Sequence, residues 1–125
     1  MAVTEAVENY LETILILSHK QPDVHAIDIC SYLGYSRPTV SIVLKKMKDD
    51  GLVNVDADNH ITLTASGKQV AEHIYERHRM LSEFFEYLGV NRDIAAEDAC
   101  KIEHDISDET FECLRKHFDK LRSEN

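Results

Sequence analysis

The chain has 125 residues, of which 43% are hydrophobic and 30% are charged, and its formal net charge is −9 at pH 7. This composition is ordinary for a globular protein of one domain or two small halves, and the acidic balance argues against a general nucleic-acid coat protein. No apolar run approaches the roughly 18–20 residues that span a membrane, and the N-terminus lacks the pattern of an export signal. Three separated cysteines do not suggest a disulfide framework, so a cytoplasmic location is expected.

The first half of the chain has the pattern of a helix-turn-helix. Apolar residues at helical spacing predict helices over residues 4–19 and 26–33, the first with Thr4 as its N-cap. A third helix is predicted to begin after its N-cap Ser36 and to stop at Asp50-Gly51. Gly34 stands where a helix commonly ends, just before Ser36. Two short helices joined by a tight turn that contains Gly are typical of the helix-turn-helix.

A β-hairpin is predicted directly after the third helix. Residues 52–55 and 60–63 are β-rich, and the turn-forming sequence Asp-Ala-Asp-Asn separates them. Such a hairpin is the wing of a winged helix-turn-helix, placed here at about residues 52–63. The rest of the chain is predicted to be helical, with helices over 64–88, about 93–106, and from Ser107 onward. The fold is therefore expected to be mainly α.

The third helix has the features of a DNA-recognition helix. Residues 36–48 contain one Arg and three Lys and no acidic residue. In a helix-turn-helix the second helix of the pair enters the major groove, and hydroxyl and basic side chains contact bases and phosphates. The candidate DNA-binding residues are Ser36, Arg37, Pro38, Thr39, Ser41, Lys45, Lys46, Asn59 and His60. A single copy would bind weakly, so a homodimer on a near-palindromic operator in double-stranded DNA is expected. A winged helix used for protein contact remains the alternative.

A possible metal site lies in the predicted fifth helix. Cys100, Glu103 and His104 stand at i, i+3 and i+4, which places a thiol, a carboxylate and an imidazole on one helix face. This ligand set suits a divalent first-row transition metal. A solvated helix face would have the same pattern, and these three residues alone do not decide between the two.

Four segments resemble one protein family in order and spacing: ENYLETI, SRPTVSIVLKKMKDDGLV, LTASGKQVAEHIYERHR and EDACKIEHDISDE. The family is that of the diphtheria-toxin repressor and the manganese-transport regulators, which are metal-dependent transcriptional repressors. The resemblance covers roughly residues 5–120. It implies a winged helix-turn-helix DNA-binding domain over residues 1–63 and a helical metal-binding and dimerisation domain over 64–125, in a short form without an SH3-like domain. The metal ligands that it implies are Asn9, Glu12, His78, Cys100, Glu103 and His104.

Departures from the family pattern bear on the choice of metal. Where this chain has Asn9, the iron-responsive branch has Met and the manganese-responsive branch has Asp. Cys100 matches the iron branch, whereas Glu12 matches the manganese branch. The iron branch's ancillary ligands are replaced by Ser82 and Ala96. A thiolate ligand favours Fe²⁺, with Mn²⁺ second, and Co²⁺, Ni²⁺ or Zn²⁺ are expected to bind in vitro.

The function expected from the sequence is metal-dependent repression of metal-homeostasis genes. Metal bound between the two domains would fix the spacing of the dimer's recognition helices on the operator. The alternative is a winged-helix regulator that senses a small ligand or an oxidant without metal, through Cys30 or Cys113, although both cysteines are expected in the core. No catalytic motif is present, so neither an enzyme nor a small organic substrate is expected. His19, His25 and His73 belong to no recognisable constellation.

Overall fold

The computed structural model describes residues 3–124, which form six α-helices and one two-stranded sheet. The chain consists of two compact units, and the division between them falls within the fourth helix, between His73 and Ile74. The elements in chain order are α1 Glu5–Lys20, α2 Ala26–Leu33, α3 Arg37–Asp49, β1 Val53–Val55, β2 Ile61–Leu63, α4 Ala65–Tyr87, α5 Arg92–Ile102 and α6 Asp108–Ser123.

The helix-turn-helix and its capping residues are confirmed. The Thr4 hydroxyl accepts a hydrogen bond from the Val7 amide at 3.2 Å, and the Ser36 hydroxyl caps α3 in the same way. Gly34 has a φ of +74°, the left-handed conformation that ends α2 and that glycine adopts without steric cost. These local signals set where α3 begins, and so they place its first turn at the surface.

The wing is a short antiparallel hairpin. Val53 pairs with Leu63 and Val55 with Ile61. The Ile61 amide donates to the Val24 carbonyl at 2.8 Å, which attaches the hairpin to the loop before α2. The apolar core of this unit consists of Val7, Tyr10, Leu11, Ile14, Leu15, Leu17, Val24, Ile29, Cys30, Val40, Leu44, Met47, Leu52, Val53, Ile61 and Ala71.

The second unit packs α4, α5 and α6 around aromatic side chains. Phe84 of α4 stacks on Phe118 of α6, with ring centroids 4.8 Å apart. Arg122 lies over the outer face of Phe118, 4.3 Å from the ring centroid, which adds a cation–π contact. The apolar core of this unit is formed by Met80, Leu81, Phe84, Ala99, Phe111 and Phe118.

Two expectations for the second unit are wrong. The fifth helix ends at Ile102 rather than near residue 106, because the chain turns after Glu103 and two carbonyls of that turn bond to a side chain of α4. Cys113 is exposed rather than in the core, since it lies off the face of α6 that Phe111 and Phe118 bury. Cys30 is buried, as expected.

Within the described residues, no helix has both the length and the apolar character needed to cross a membrane.

Substituting Gly67 is expected to destabilise the protein, because the first turn of α4 packs directly on the backbone after α3. A Cβ at Gly67 would lie 2.0 Å from the carbonyl oxygen of Leu52, which is far inside contact distance. Gly67→Ala should therefore lower the free energy of unfolding by about 1–3 kcal/mol, despite the higher helix propensity of Ala. Urea denaturation measures this, with Ser66→Ala, at an exposed neighbouring position, as the matched control. An unchanged urea midpoint for Gly67→Ala would contradict the packing described.

Candidate metal centre and nucleic-acid interface

The second unit contains a buried carboxylate between two imidazoles. Glu103 follows the last residue of α5 and has no exposed surface. Its Oε2 lies 2.8 Å from Nδ1 of His78 on α4, and its Oε1 lies 3.4 Å from Nε2 of His104. The structure therefore brings three of the predicted ligands together within one unit.

The environment of Glu103 fits a divalent cation. Among the described residues, Glu103 Oε1 has no hydrogen-bond partner, and His104 does not approach it with hydrogen-bond geometry. A buried carboxylate oxygen without a donor is costly, and a bound cation would offset that cost. A carboxylate beside an imidazole is a ligand combination that first-row divalent metals accept.

Arg77 holds the turn that presents Glu103 and His104. Its side chain is buried, and one guanidinium nitrogen donates to the carbonyls of Glu103 at 3.1 Å and Ile106 at 2.7 Å. Another nitrogen of the same guanidinium pairs with the Asp108 carboxylate. Arg77 lies in the family-like segment LTASGKQVAEHIYERHR, but its positioning role was not predicted from the sequence. That role could have been inferred from the sequence, because Arg77 is a basic residue on the apolar side of α4 and stands next to a candidate ligand.

Cys100 has a different environment from the other ligands predicted in its segment. It lies on α5 one turn before Glu103 and is exposed, whereas Glu103 is fully buried and the His104 side chain is 1% exposed. Cys100 therefore stays a predicted ligand at the solvent side of the segment.

Asn9 and Glu12 belong to α1 in the first unit. Asn9 is partly buried, and its backbone carbonyl accepts a hydrogen bond from the Thr13 hydroxyl at 2.8 Å. Glu12 is only 8% exposed, whereas its position off the apolar stripe of α1 would place it in solvent. A buried carboxylate needs compensation by a partner or a cation, so its burial suits a ligand better than a solvated surface residue.

The predicted DNA-contacting side of α3 is exposed. All seven candidate residues on α3 and its cap lie at the surface, while Val40, Leu44 and Met47 are buried. The seven are Ser36, Arg37, Pro38, Thr39, Ser41, Lys45 and Lys46. Ile42 is 72% exposed on the same helix, and it was not predicted as a residue of this surface. An apolar residue outside the buried stripe of an amphipathic helix was the signal for it.

A groove of 630 Å³ runs between α3, the wing and the start of α2. Three cations, Arg37, Lys45 and Lys48, line it, which is the electrostatic character that a phosphate backbone requires. Its apolar lining is formed by Ala26, Ile27, Leu44, Val55 and Ile61, and the remaining lining residues are His25, Ser41, Asp58 and Asn59.

The two wing candidates differ in their surroundings. Asn59 is exposed at the turn, with a φ of +63°. His60 is partly buried, and its Nδ1 lies 3.3 Å from Asp56 and 3.7 Å from Asp23. The ring of His25 packs edge-on against it, with centroids 4.7 Å apart. The fold thus brings residues 23–25 to the wing, and the contact between His25 and His60 was not predicted from the sequence.

Two family models match nearly the whole chain. Residues 2–61 match the N-terminal DNA-binding domain of the iron-dependent repressors, and residues 64–124 match their metal-binding and dimerisation domain. These matches correspond to the two halves that the sequence resemblance implies.

Individual proteins give the same result. The chain is 34% identical to the transcriptional regulator MntR of Escherichia coli O6:H1 over 111 residues, which cover 89% of this chain and 72% of that protein. It is 31% identical to the diphtheria toxin repressor of Corynebacterium diphtheriae over 115 residues, covering 91% and 51%. The solved structure of the manganese regulator SloR superposes with a TM-score of 0.79 at 30% identity, covering 95% of this chain and 55% of that one. The chain thus spans about half the length of that structure.

Replacing Arg77 should damage the turn that carries Glu103 and His104. A lysine ammonium cannot reach both carbonyls and Asp108 in the fork geometry of a guanidinium, so Arg77→Lys leaves buried groups unsatisfied. We expect the free energy of unfolding to fall by about 3 kcal/mol, as measured by urea denaturation. Arg79→Lys on the exposed side of the same helix is the matched control, with an expected change within about 0.5 kcal/mol. Equal effects of the two substitutions would contradict the role assigned to Arg77.

Proposed function

We propose that this chain, which belongs to the iron-dependent repressor family, represses metal-homeostasis genes when a divalent metal is bound by its predicted ligands. The family is one of metal-dependent, DNA-binding regulators with a dimerisation domain. We assign DNA binding to residues 1–63, and metal binding and dimerisation to residues 64–125. A regulator of this kind must reach DNA, so a cytoplasmic location is part of the proposal.

The observation that carries the proposal is the buried Glu103 carboxylate between His78 and His104. The 2.8 Å contact to His78 and the absence of a hydrogen bond to Oε1 among the described residues support a cation ligand more than a structural acid. The proposed ligand set adds Cys100 from α5 and Asn9 and Glu12 from α1, on the strength of the family resemblance. A bound cation would neutralise the carboxylates of this set.

The DNA-binding half of the proposal rests on the exposed side of α3 and the groove beside it. Ser36, Pro38, Thr39 and Ser41 stand where base edges are read, and Arg37 reaches guanine or phosphate. Lys45 and Lys46 contact the phosphate backbone, and Asn59 of the wing contacts an adjacent phosphate. His60 faces two carboxylates, so its contribution to DNA binding is indirect. A homodimer on a near-palindromic site combines two such surfaces.

Metal dependence follows from differential affinity for the DNA-binding state. A ligand shifts a conformational equilibrium only if it binds one state better than the other. At free metal about 100-fold above its dissociation constant, the stabilisation is at most about 2.7 kcal/mol per site. That corresponds to roughly a hundredfold in operator affinity, which is enough for a transcriptional switch. By linkage, operator DNA raises metal affinity by the same factor.

Fe²⁺ is the proposed physiological metal, with Mn²⁺ second. The softer thiolate of Cys100 favours Fe²⁺ over Mn²⁺, and Co²⁺, Ni²⁺ and Zn²⁺ bind in vitro. Glu12 and the amide oxygen of Asn9 are hard ligands that keep Mn²⁺ competitive.

Glu103→Gln should abolish metal-dependent operator binding without unfolding the protein. The substitution keeps the buried volume but removes the charge that attracts the cation. We expect metal affinity to fall by at least roughly a hundredfold, beyond the loss typical of a residue that only orients a ligand. A gel shift on the promoter of the neighbouring genes, with Fe²⁺, Mn²⁺ or a chelator, measures the effect on DNA binding.

The matched control for this experiment is Glu97→Gln, an exposed glutamate on α5, the helix that Glu103 follows. It should bind operator as the unmodified protein does. Full operator affinity in demetallated protein, or metal-dependent binding that survives Glu103→Gln, would rule out the proposed site.

Cys100→Glu should shift the metal preference toward Mn²⁺, because a hard carboxylate replaces a soft thiolate. Anaerobic titrations that compare the affinities for Fe²⁺ and Mn²⁺ measure the preference. Cys113→Glu is the matched control, since it makes the same change at another exposed cysteine. If the ratio of the two affinities is the same in both variants, Cys100 does not determine the metal.

A further inference from the structure

A second group of metal-ligating side chains lies in the first unit, at the turn of the wing. Asp56, Asp58 and His60 each offer a ligand atom, and these atoms lie within 4.8 Å of one another. None of the three was predicted as a metal ligand.

Two residues from a separate segment lie beside this group. Asp23 Oδ1 is 3.7 Å from His60 Nδ1, and the His25 ring packs edge-on against the His60 ring. The hydrogen bond between the Ile61 amide and the Val24 carbonyl fixes the two segments against each other. The group itself therefore has two carboxylates and one imidazole, and a further carboxylate and a further imidazole stand next to His60.

The turn already orients one ligand. Asp56 Oδ1 accepts hydrogen bonds from the amides of Asp58 and His60, each 2.9 Å long, while Oδ2 lies 3.3 Å from the His60 ring. The hydrogen bond from the His60 amide is also the main cause that holds the pKa of Asp56 below its usual value. The side chains of Asp23 and Asp56 are more than half exposed, which lets a hydrated ion approach.

The position of the group gives a bound cation a consequence for DNA binding. His25 and Asp58 line the groove that also contains Arg37, Lys45 and Lys48. The Asp58 carboxylate in this groove repels a phosphate backbone, and a divalent cation beside it would reduce the local negative charge by two.

We propose that Asp56, Asp58 and His60, with Asp23 and His25, form an accessory divalent transition-metal site that strengthens contact between the wing and DNA. Imidazole with carboxylate favours Zn²⁺, Co²⁺, Ni²⁺ or Mn²⁺ over Mg²⁺ or Ca²⁺. The metal site stands on residues of the first unit alone, whereas its effect on DNA rests on the proposed function.

The test counts Zn²⁺ equivalents in the full chain by competition with a chromogenic chelator. A wing variant with Asp58→Asn and His60→Gln should bind one equivalent fewer than the unmodified protein, and it keeps Asp56 and therefore the turn. The matched control, Asp98→Asn with His73→Gln, makes the same two changes at exposed positions outside the wing and should lose none. Zn²⁺ should also shift the side-chain ¹⁵N resonances of His60 and His25.

A background with Cys100→Ala and Glu103→Gln separates this site from the one proposed above. In that background the protein should retain one Zn²⁺ equivalent, and the wing substitutions should remove it. An unchanged count in the wing variant, or a His60 ring that Zn²⁺ does not perturb, would overturn the accessory site. Metal-dependent operator binding that persists after the wing substitutions are added to this background counts against the proposed function instead, because both sites have then been removed.

Discussion

The metal-binding half depends on a buried guanidinium. Arg77 bonds to the carbonyls of Glu103 and Ile106 and to the Asp108 carboxylate, and so it fixes the chain between the end of α5 and the start of α6. A positive charge in a low-dielectric interior needs polar partners, and the two terminal guanidinium nitrogens find them in two backbone carbonyls and one carboxylate. Arg77 therefore sets the position of the turn that carries Glu103 and His104.

The DNA-binding half presents positive charge at its surface, although the chain as a whole is acidic. The buried stripe of α3 anchors the helix, so its other side can be given over to hydroxyl and basic residues. The cations that line the groove lie close to the wing, while the acids of the wing turn stand beside them. If the proposed accessory site holds a cation, the affinity of this face for phosphate depends on the neutralisation of those acids.

Local signals in the sequence predicted much of the fold. The caps at Thr4, Ser36 and Ser107 and the glycine at the end of α2 act through nearest neighbours, so their effect could be read without a structure. The Glu103–His104 pair was found in the same way, from spacing and resemblance. The errors have another origin.

Long-range contacts account for what the sequence could not predict. The early end of α5 depends on Arg77, which lies 26 residues before Glu103. His25 joins His60 only because the hairpin folds back onto the loop before α2. The burial of Glu12 likewise cannot be inferred from the periodicity of α1, which assigns it to the polar side. Tertiary contacts override local pattern at each of these positions.

The exposure of Ile42 has a thermodynamic consequence for DNA recognition. This side chain is 72% exposed in the middle of α3, where it meets water instead of the core. Covering it with the methyl group of a thymine would release ordered water and give a negative heat-capacity change on association. Such a contribution is nearly independent of ionic strength, unlike that of the neighbouring lysines. Part of the sequence preference of this helix would thus persist at salt concentrations that weaken its hold on the phosphates.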